Sequence, residues 1–328
     1  MRALQRFRRA LGCRVDNPSP LVFNVHRERS RNAFVACFCI VPETRFPFRK
    51  RALETESPAS LTQEGGPIPI LGIDVGTSGT RAVILDEHGA VLASGTEEHA
   101  NFASAEPGWA EQDPHDWWRA AAIAVRKALQ ASGLPAESIA CVGFSGQMHG
   151  AVLLDENDEV IRPALIWCDQ RTEAQSKELE CTIGLDRLIQ WTSNPPLTNF
   201  TLTKLLWVRE HEPKNWQRVR KIMLPKDYVR LRLTGESAID VADASGTLLL
   251  DVAHRIWSSE VLSKTGIDVK LLPKLYESQE ICGKLTDTGA NATGLRAGTP
   301  VVAGAGDQAA GAVGMGITRA GVVSATIG

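Results

Sequence analysis

Two carboxylates stand at the ends of apolar runs, each beside residues too small to shield the backbone. Asp74 belongs to Ile70-Leu71-Gly72-Ile73-Asp74-Val75 and precedes Gly76-Thr77-Ser78-Gly79; Asp307 ends Val301-Val302-Ala303-Gly304-Ala305-Gly306-Asp307. A glycine-rich turn exposes main-chain N–H groups that can hold phosphate. A carboxylate beside it can serve hydrated Mg²⁺ or take a proton from a hydroxyl. The first turn has no Gly-Lys-Ser/Thr, so it is not a Walker A loop. The second carries Ala309 where a dinucleotide fingerprint needs glycine, which disfavours that reading. A third group is polar and aromatic: Gln147-Met148-His149 and Ile166-Trp167-Cys168-Asp169-Gln170-Arg171. A polyol needs hydrogen-bonding groups and an apolar face to lie on. Met148 and Trp167 supply the face, and Gln147, His149 and Asp169 supply polar contacts. Taken singly, each residue has a plainer reading. Asp74 would form a turn, Asp307 would cap a helix over 308–317, Trp167 and His149 would sit satisfied in a core, and Asp169 would join an ion pair. Their shared placement after strand-like segments favours chemistry.

The elements that must position these residues follow from pattern. Residues 69–75 form a near-continuous apolar run, as in a central strand. Thr80–Leu85 and Val91–Ser94 follow through short turns and complete an antiparallel meander. Asp113 caps a helix with Pro114 at its first position and Asp116 in its first turn. That helix passes through Trp117, Ile123, Val125 and Leu129 and stops near Gly133. Ile139–Phe144 is a strand that enters the turn holding Gln147–His149, and Ala151–Leu154 is another. Thr201–His211 and Asp227–Leu233 are helices, stopped by Pro213 and Gly235. Val322–Ile327 reads as a strand. The fold class is α/β, a mixed sheet with flanking helices whose turns converge on one edge, where ligands bind in such folds.

Composition sets the outer bounds. The chain has 328 residues, 43% hydrophobic and 23% charged, with a net charge of −2. These are values of a globular protein and call for no polyanionic partner. No apolar run approaches the roughly 20 residues of a membrane helix, so neither nucleic acid nor membrane is an expected partner. Seven scattered cysteines without a C-x-x-C pair suit a reducing cytoplasm and not a zinc site. Residues 1–51 are arginine-rich and acid-poor, and residues 52–67 read as a linker. Residues 1–66 are therefore expected to be a disordered or extraneous basic segment.

From about Ile68 onward the chain resembles the FGGY family of carbohydrate kinases. The resemblance rests on Gly72–Ser78, Trp109-Ala110-Glu111-Gln112-Asp113-Pro114, Gly146-Gln147-Met148-His149-Gly150, Ile166–Arg171, Leu224-Pro225-Lys226-Asp227-Tyr228, Asp243-Ala244-Ser245-Gly246-Thr247 and Gly304–Gly311. It implies actin-like (ribonuclease H-like) lobes that close on each other. A sugar-binding lobe would span 67–302, and a nucleotide lobe would begin over 303–328. Ser324–Gly328 matches only the first half of the family's second phosphate motif, so the second lobe is expected to be largely missing and this chain alone inactive. The implied reaction moves the ATP γ-phosphate to a ketose, and the Gln-Met-His-Gly turn narrows it to D-xylulose, giving D-xylulose 5-phosphate. Asp307 would be the base, Asp74 would act on the Mg·ATP side by holding Mg²⁺ through water, and Gly76, Thr77, Ser78 and Gly79 would hold phosphate. Met148, His149, Gln147, Trp167, Asp169 and Asp307 would meet or shape the sugar. A homodimer is compatible with this reading. Two alternatives stay open: a family member acting on sedoheptulose, ribulose or gluconate, and a sugar-binding protein without catalysis.

Overall fold

A computed structural model describes residues 68–319 and 321–323. The 1–66 segment and residues 324–328 of the expected last strand lie outside the described residues, and Val322 and Val323 are not in a strand. The expected meander is present as β1 (Ile70–Val75), β2 (Gly79–Leu85) and β3 (Val91–Glu98), each antiparallel to the next. Leu71, Ile73 and Val75 of β1 are buried, whereas Ile70 and Asp74 on the opposite face are exposed. That is the period-two alternation of a strand packed on one side.

Helix α1 (Pro114–Ser132) covers the buried face. The Asp113 carboxylate accepts the His115 N–H, Pro114 opens the first turn, and Gly133 closes the helix at φ +64°, its N–H bonded to the Leu129 carbonyl. Trp117, Ala120, Ala121, Ala124, Val125 and Ala128 line its buried stripe. The small residues let helix and sheet approach closely. A Cβ on Gly95 of β3 would sit 2.2 Å from the Ala124 carbonyl oxygen, so only glycine fits there.

The chain then returns to the sheet as β4 (Cys141–Gly146), which pairs in parallel with β1. A largely helical region follows, with α2 (Thr201–His211) and α3 (Pro225–Thr234) as two of its helices. It has its own apolar core, with Leu153, Leu188, Leu202, Leu205 and Val208 among its buried residues. Strands β5 (Ile281–Lys284) and β6 (Pro300–Val302) complete the sheet in the order β5-β6-β4-β1-β2-β3. A short β7 (Ala305–Gly306) also pairs in parallel with β4 and leads into α4 (Asp307–Gly314). The architecture is the expected α/β mixed sheet with flanking helices.

Candidate active site

Register brings the distant motifs to one edge. Asp74 pairs with Ser145, and Ser145 with Ala305; Val75 pairs with Gly146, and Gly146 with Gly306. Three parallel strands, β1, β4 and β7, therefore end level with one another. Neighbouring strands lie about 4.8 Å apart, so the chain ends leaving β1 and β7 are within about 10 Å. The turns that follow hold the Gly76–Gly79 glycines, the Gln147-Met148-His149 triplet and Asp307.

Asp307 is half-buried at the start of α4, and its Oδ1 accepts the Gln308 N–H at 2.8 Å. The residue in the capping position is Gly306, so Asp307 is not the N-cap expected in the bland reading but the first residue of the helix. Burial raises its pKa, the Gln308 N–H opposes this, and the charge of Asp74 raises it further. The two carboxylates read from opposite ends of the sequence thus sense each other electrostatically. Gly306 beside them is closely packed: a Cβ there would lie 3.0 Å from Asp243 Oδ1 and 3.5 Å from Met148 Cε, so a side chain would push on the Asp243 carboxyl.

The turn after β1 has its carbonyls drawn inward. Gly76 O accepts from Gln147 Nε2 at 3.1 Å, Thr77 O from Gln112 Nε2 at 2.8 Å, and Ser78 O from the His99 N–H at 3.0 Å. The N–H groups of Thr77 and Ser78 have no hydrogen-bond partner among the described residues. The Thr77 hydroxyl is engaged, accepting from Trp167 Nε1 at 2.9 Å.

The turn after β4 is built differently. His149 takes a positive φ of 66°, uncommon for a residue with a side chain. Its ring meets Phe200 edge-on at 4.8 Å. Nδ1 lies 2.8 Å from the Gly246 carbonyl, which can only accept, so Nδ1 carries the proton and Nε2 has a free lone pair. Burial lowers the His149 pKa to about 4, the Gly246 bond opposing and the Lys204 charge adding to the fall. The ring is neutral at pH 7. A Cβ on Gly246 would sit 2.5 Å from His149 Cε1, so the Asp243–Thr247 motif leaves room for this imidazole. Met148 is half-buried, and Trp167 is 38% exposed, which leaves ring surface open to a ligand.

Two of the expected polar contacts, Asp169 and Gln147, lie inside the protein. Asp169 is fully buried; it pairs with Arg171 at 2.7 Å, and its Oδ2 also accepts the Ala110 N–H at 2.7 Å. Arg171 lies 3.7 Å above the Trp109 ring and reaches Glu111 at 2.7 Å. A carboxylate with these partners fixes the 166–171 loop that carries Trp167. Gln147 is also buried: its Nε2 donates to Gly76 O and Gln112 Oε1, while its Oε1 has no partner among the described residues.

Sequence reasoning missed the support beneath the site. Lys226 Nζ lies 2.7 Å from Asp227, 2.6 Å from Asp240 and 3.0 Å from Asp243, and Arg230 lies 2.9 Å from Asp227, all fully or almost fully buried. Burial alone would lower the Lys226 pKa, but the three carboxylates hold it raised. Burial pushes the Asp243 pKa up, Lys226 opposes this, and Asp240 and Asp227 reinforce the rise. Arg230 also donates to the carbonyls of Ala303 and Ala238. The cluster ties α3 to the end of β6 and to the Asp243 segment that cups Gly306. Its charged members come from two stretches, 226–230 and 240–243, whose pairing appears only in the fold. Lys204 was missed too. It is fully buried, its Nζ donates to the carbonyls of Asn199 and Phe200, and burial lowers its pKa to about 7, with Asp169 and Cys168 opposing.

Comparison with known proteins identifies the frame. Residues 69–314 match the N-terminal domain of the FGGY family of carbohydrate kinases. The chain is 43% identical over 258 residues to a xylulose kinase of Escherichia coli (strain K12), and 39% identical over 259 residues to one of Bacillus subtilis (strain 168). Each alignment covers 79% of this chain and 52% of the relative. The crystal structure of xylulose kinase from Rhodospirillum rubrum superimposes with a TM-score of 0.73 at 28% identity, covering 77% of this chain and 52% of that one. The chain spans about half the length of the curated relatives it matches. It belongs to the FGGY family of carbohydrate kinases, and its described fold is that family's actin-like N-terminal domain.

Proposed function

We propose that this chain carries the sugar site and the first phosphate turn of a xylulose kinase, which transfers the ATP γ-phosphate to D-xylulose. The observation that carries the reading is the convergence of Asp307, Met148–His149 and the Gly76–Gly79 turn on one strand-end edge. The names of the relatives support the choice of sugar.

The sugar lies against Trp167 and Met148, with a hydroxyl donating to His149 Nε2. Asp307 faces the hydroxyl that reacts. The hydroxyl oxygen forms a bond to the γ-phosphorus as the bond from phosphorus to the β,γ-bridging oxygen breaks; the proton passes to Asp307 and ADP leaves. The raised pKa of Asp307 suits this, because it brings a carboxylate closer to the basicity a general base needs. Holding hydroxyl and phosphate in line supplies most of the catalysis, and such positioning is worth roughly 7–11 kcal/mol. The N–H groups of Thr77 and Ser78 take phosphate oxygens. Mg²⁺ fits the donor set: it keeps several waters and needs one or two carboxylates besides phosphate, and Asp74 is exposed beside the turn. When bound it neutralises phosphate charge.

D-xylulose should quench tryptophan fluorescence of the chain through Trp167, and His149→Ala should weaken the response at least tenfold. A response to glycerol with none to ketopentoses would sink the choice of sugar.

A further inference from the structure

Gln112 lies outside the groups given a role in the reaction. It stands just before the α1 cap, 35 residues from the turn it touches. Its side chain is nearly fully buried and has three partners. Nε2 donates to Thr77 O at 2.8 Å, and Oε1 accepts from Trp117 Nε1 and from Gln147 Nε2, both at 3.1 Å. The donor from Trp117 fixes which way round the Gln112 amide sits, since an indole N–H can only donate. Gln147 Nε2 in turn donates to Gly76 O at 3.1 Å.

The consequence lies in the peptide planes. In a trans peptide the C=O and the following N–H point in opposite directions. Gln147 pulls Gly76 O inward, so the Thr77 N–H on the same plane points outward. Gln112 pulls Thr77 O inward, so the Ser78 N–H points outward. Those are the two N–H groups without partners. Glycine at both ends permits these planes to rotate; the Gly76 N–H bond to Gly79 O closes the turn and the glutamines set its middle peptides. The Gln112 segment is itself fixed from the other side, because the Ala110 N–H donates to Asp169 and Ala110 O accepts the Ile166 N–H at 3.1 Å. The loop bearing Trp167 and the phosphate turn therefore share one brace.

We infer that Gln112, acting with Gln147, is a positioning residue that sets the 76–79 turn to present its N–H groups to phosphate, and that it links this turn to the loop carrying Trp167. This rests on the reading of that turn as a phosphate site.

The test is calorimetric titration of Mg·pyrophosphate into the full chain, alongside the D-xylulose fluorescence titration and thermal unfolding. Gln112→Leu removes the nearer donor to Thr77 O and leaves only His99 Nδ1 at 3.4 Å. It should weaken pyrophosphate binding at least tenfold while D-xylulose affinity changes less than threefold. Gln112→His keeps a ring N–H that can donate to Thr77 O, and it should recover pyrophosphate affinity to within about threefold of the parent. Should Gln112→Leu fold poorly, the histidine variant against Gln112→Glu, which keeps the acceptors and loses the donor, gives the same contrast. Unchanged pyrophosphate affinity in Gln112→Leu would overturn the inference. So would equal losses for both ligands, or a parent chain that does not bind pyrophosphate. A parent that binds pyrophosphate as expected but ignores D-xylulose would overturn the proposed function and leave this inference standing.

Discussion

The turns after β1 and β4 lie side by side on one sheet edge, yet they are built from opposite materials. The first offers main-chain N–H groups, held outward because buried glutamines and His99 take its carbonyls. The second offers side chains: Met148 for contact, and a neutral His149 locked by Gly246. A main-chain donor is the same whatever residue carries it, so the first turn is suited to a ligand part that never varies, such as phosphate. A side-chain surface changes with every substitution, so under the proposed function the choice among sugars falls to the second turn. Asp307 follows β7, on the far side of β4 from β1, and the charge of Asp74 reaches it across that middle strand.

The largest expected effect breaks the link between the two turns. In a full-length kinase assembled from this chain and the second half of a xylulose kinase relative, Asp307→Asn should reduce turnover by roughly 10²–10⁴-fold, since an amide cannot accept the hydroxyl proton. D-xylulose binding should persist, because the sugar rests on Trp167, Met148 and His149. Near-normal ADP release in a coupled assay would leave Asp307 as a helix-starting residue only.

Acid should separate the turns by their chemistry. His149 titrates near 4 in the folded protein against 6.5 in a model peptide. As pH falls below 6.5 the unfolded state takes up this proton and the native state does not, so stability is lost down to about pH 4. The loss amounts to roughly 3 kcal/mol by the linkage relation. Urea unfolding of the parent at several pH values, set against His149→Ala, isolates it. D-xylulose affinity should hold steady to about pH 5 and fall as the Nε2 lone pair is protonated towards 4. A midpoint near 6.5 would mean that the imidazole is solvated, not buried.

The smallest effect tests the main-chain reading. Ser78→Ala removes an exposed hydroxyl but keeps the N–H, so Mg·pyrophosphate affinity should change by less than about threefold. A loss of tenfold or more would transfer the work from backbone to side chain and erase the contrast between the turns.

Much of this arrangement is legible in sequence because it is local. Alternation in Ile70–Val75 and the Asp113-Pro114 start with the Gly133 stop are written within a few residues, and β1, α1 and α2 follow the expected bounds closely. The candidate residues Asp74, Met148, His149, Trp167 and Asp307 do gather on one edge. What sequence does not disclose is direction. Asp169 and Gln147 sit in the expected turns, but their polar atoms face inward, and that depends on Arg171, Ala110 and Gln112 arriving from elsewhere. Gln112 reads as part of a motif whose purpose appears only when its partner 35 residues away is in place. The Lys226 cluster is hidden for the same reason.

That cluster also constrains how such a protein can change over generations. Removing one partner of a buried ion pair leaves a stranded charge, at about 3–5 kcal/mol, against a total domain stability of about 5–15 kcal/mol. Lys226, Asp240 and Asp243 hold one another, so a single substitution among them takes a large share of that margin. A well-packed apolar replacement would require several coordinated changes at once. Among the described residues Met148 has no side-chain hydrogen bond, and Trp167 has a single one, to Thr77. Mutational paths towards a new substrate are therefore open at Met148 and Trp167, and they run over a foundation that one-step change can hardly enter.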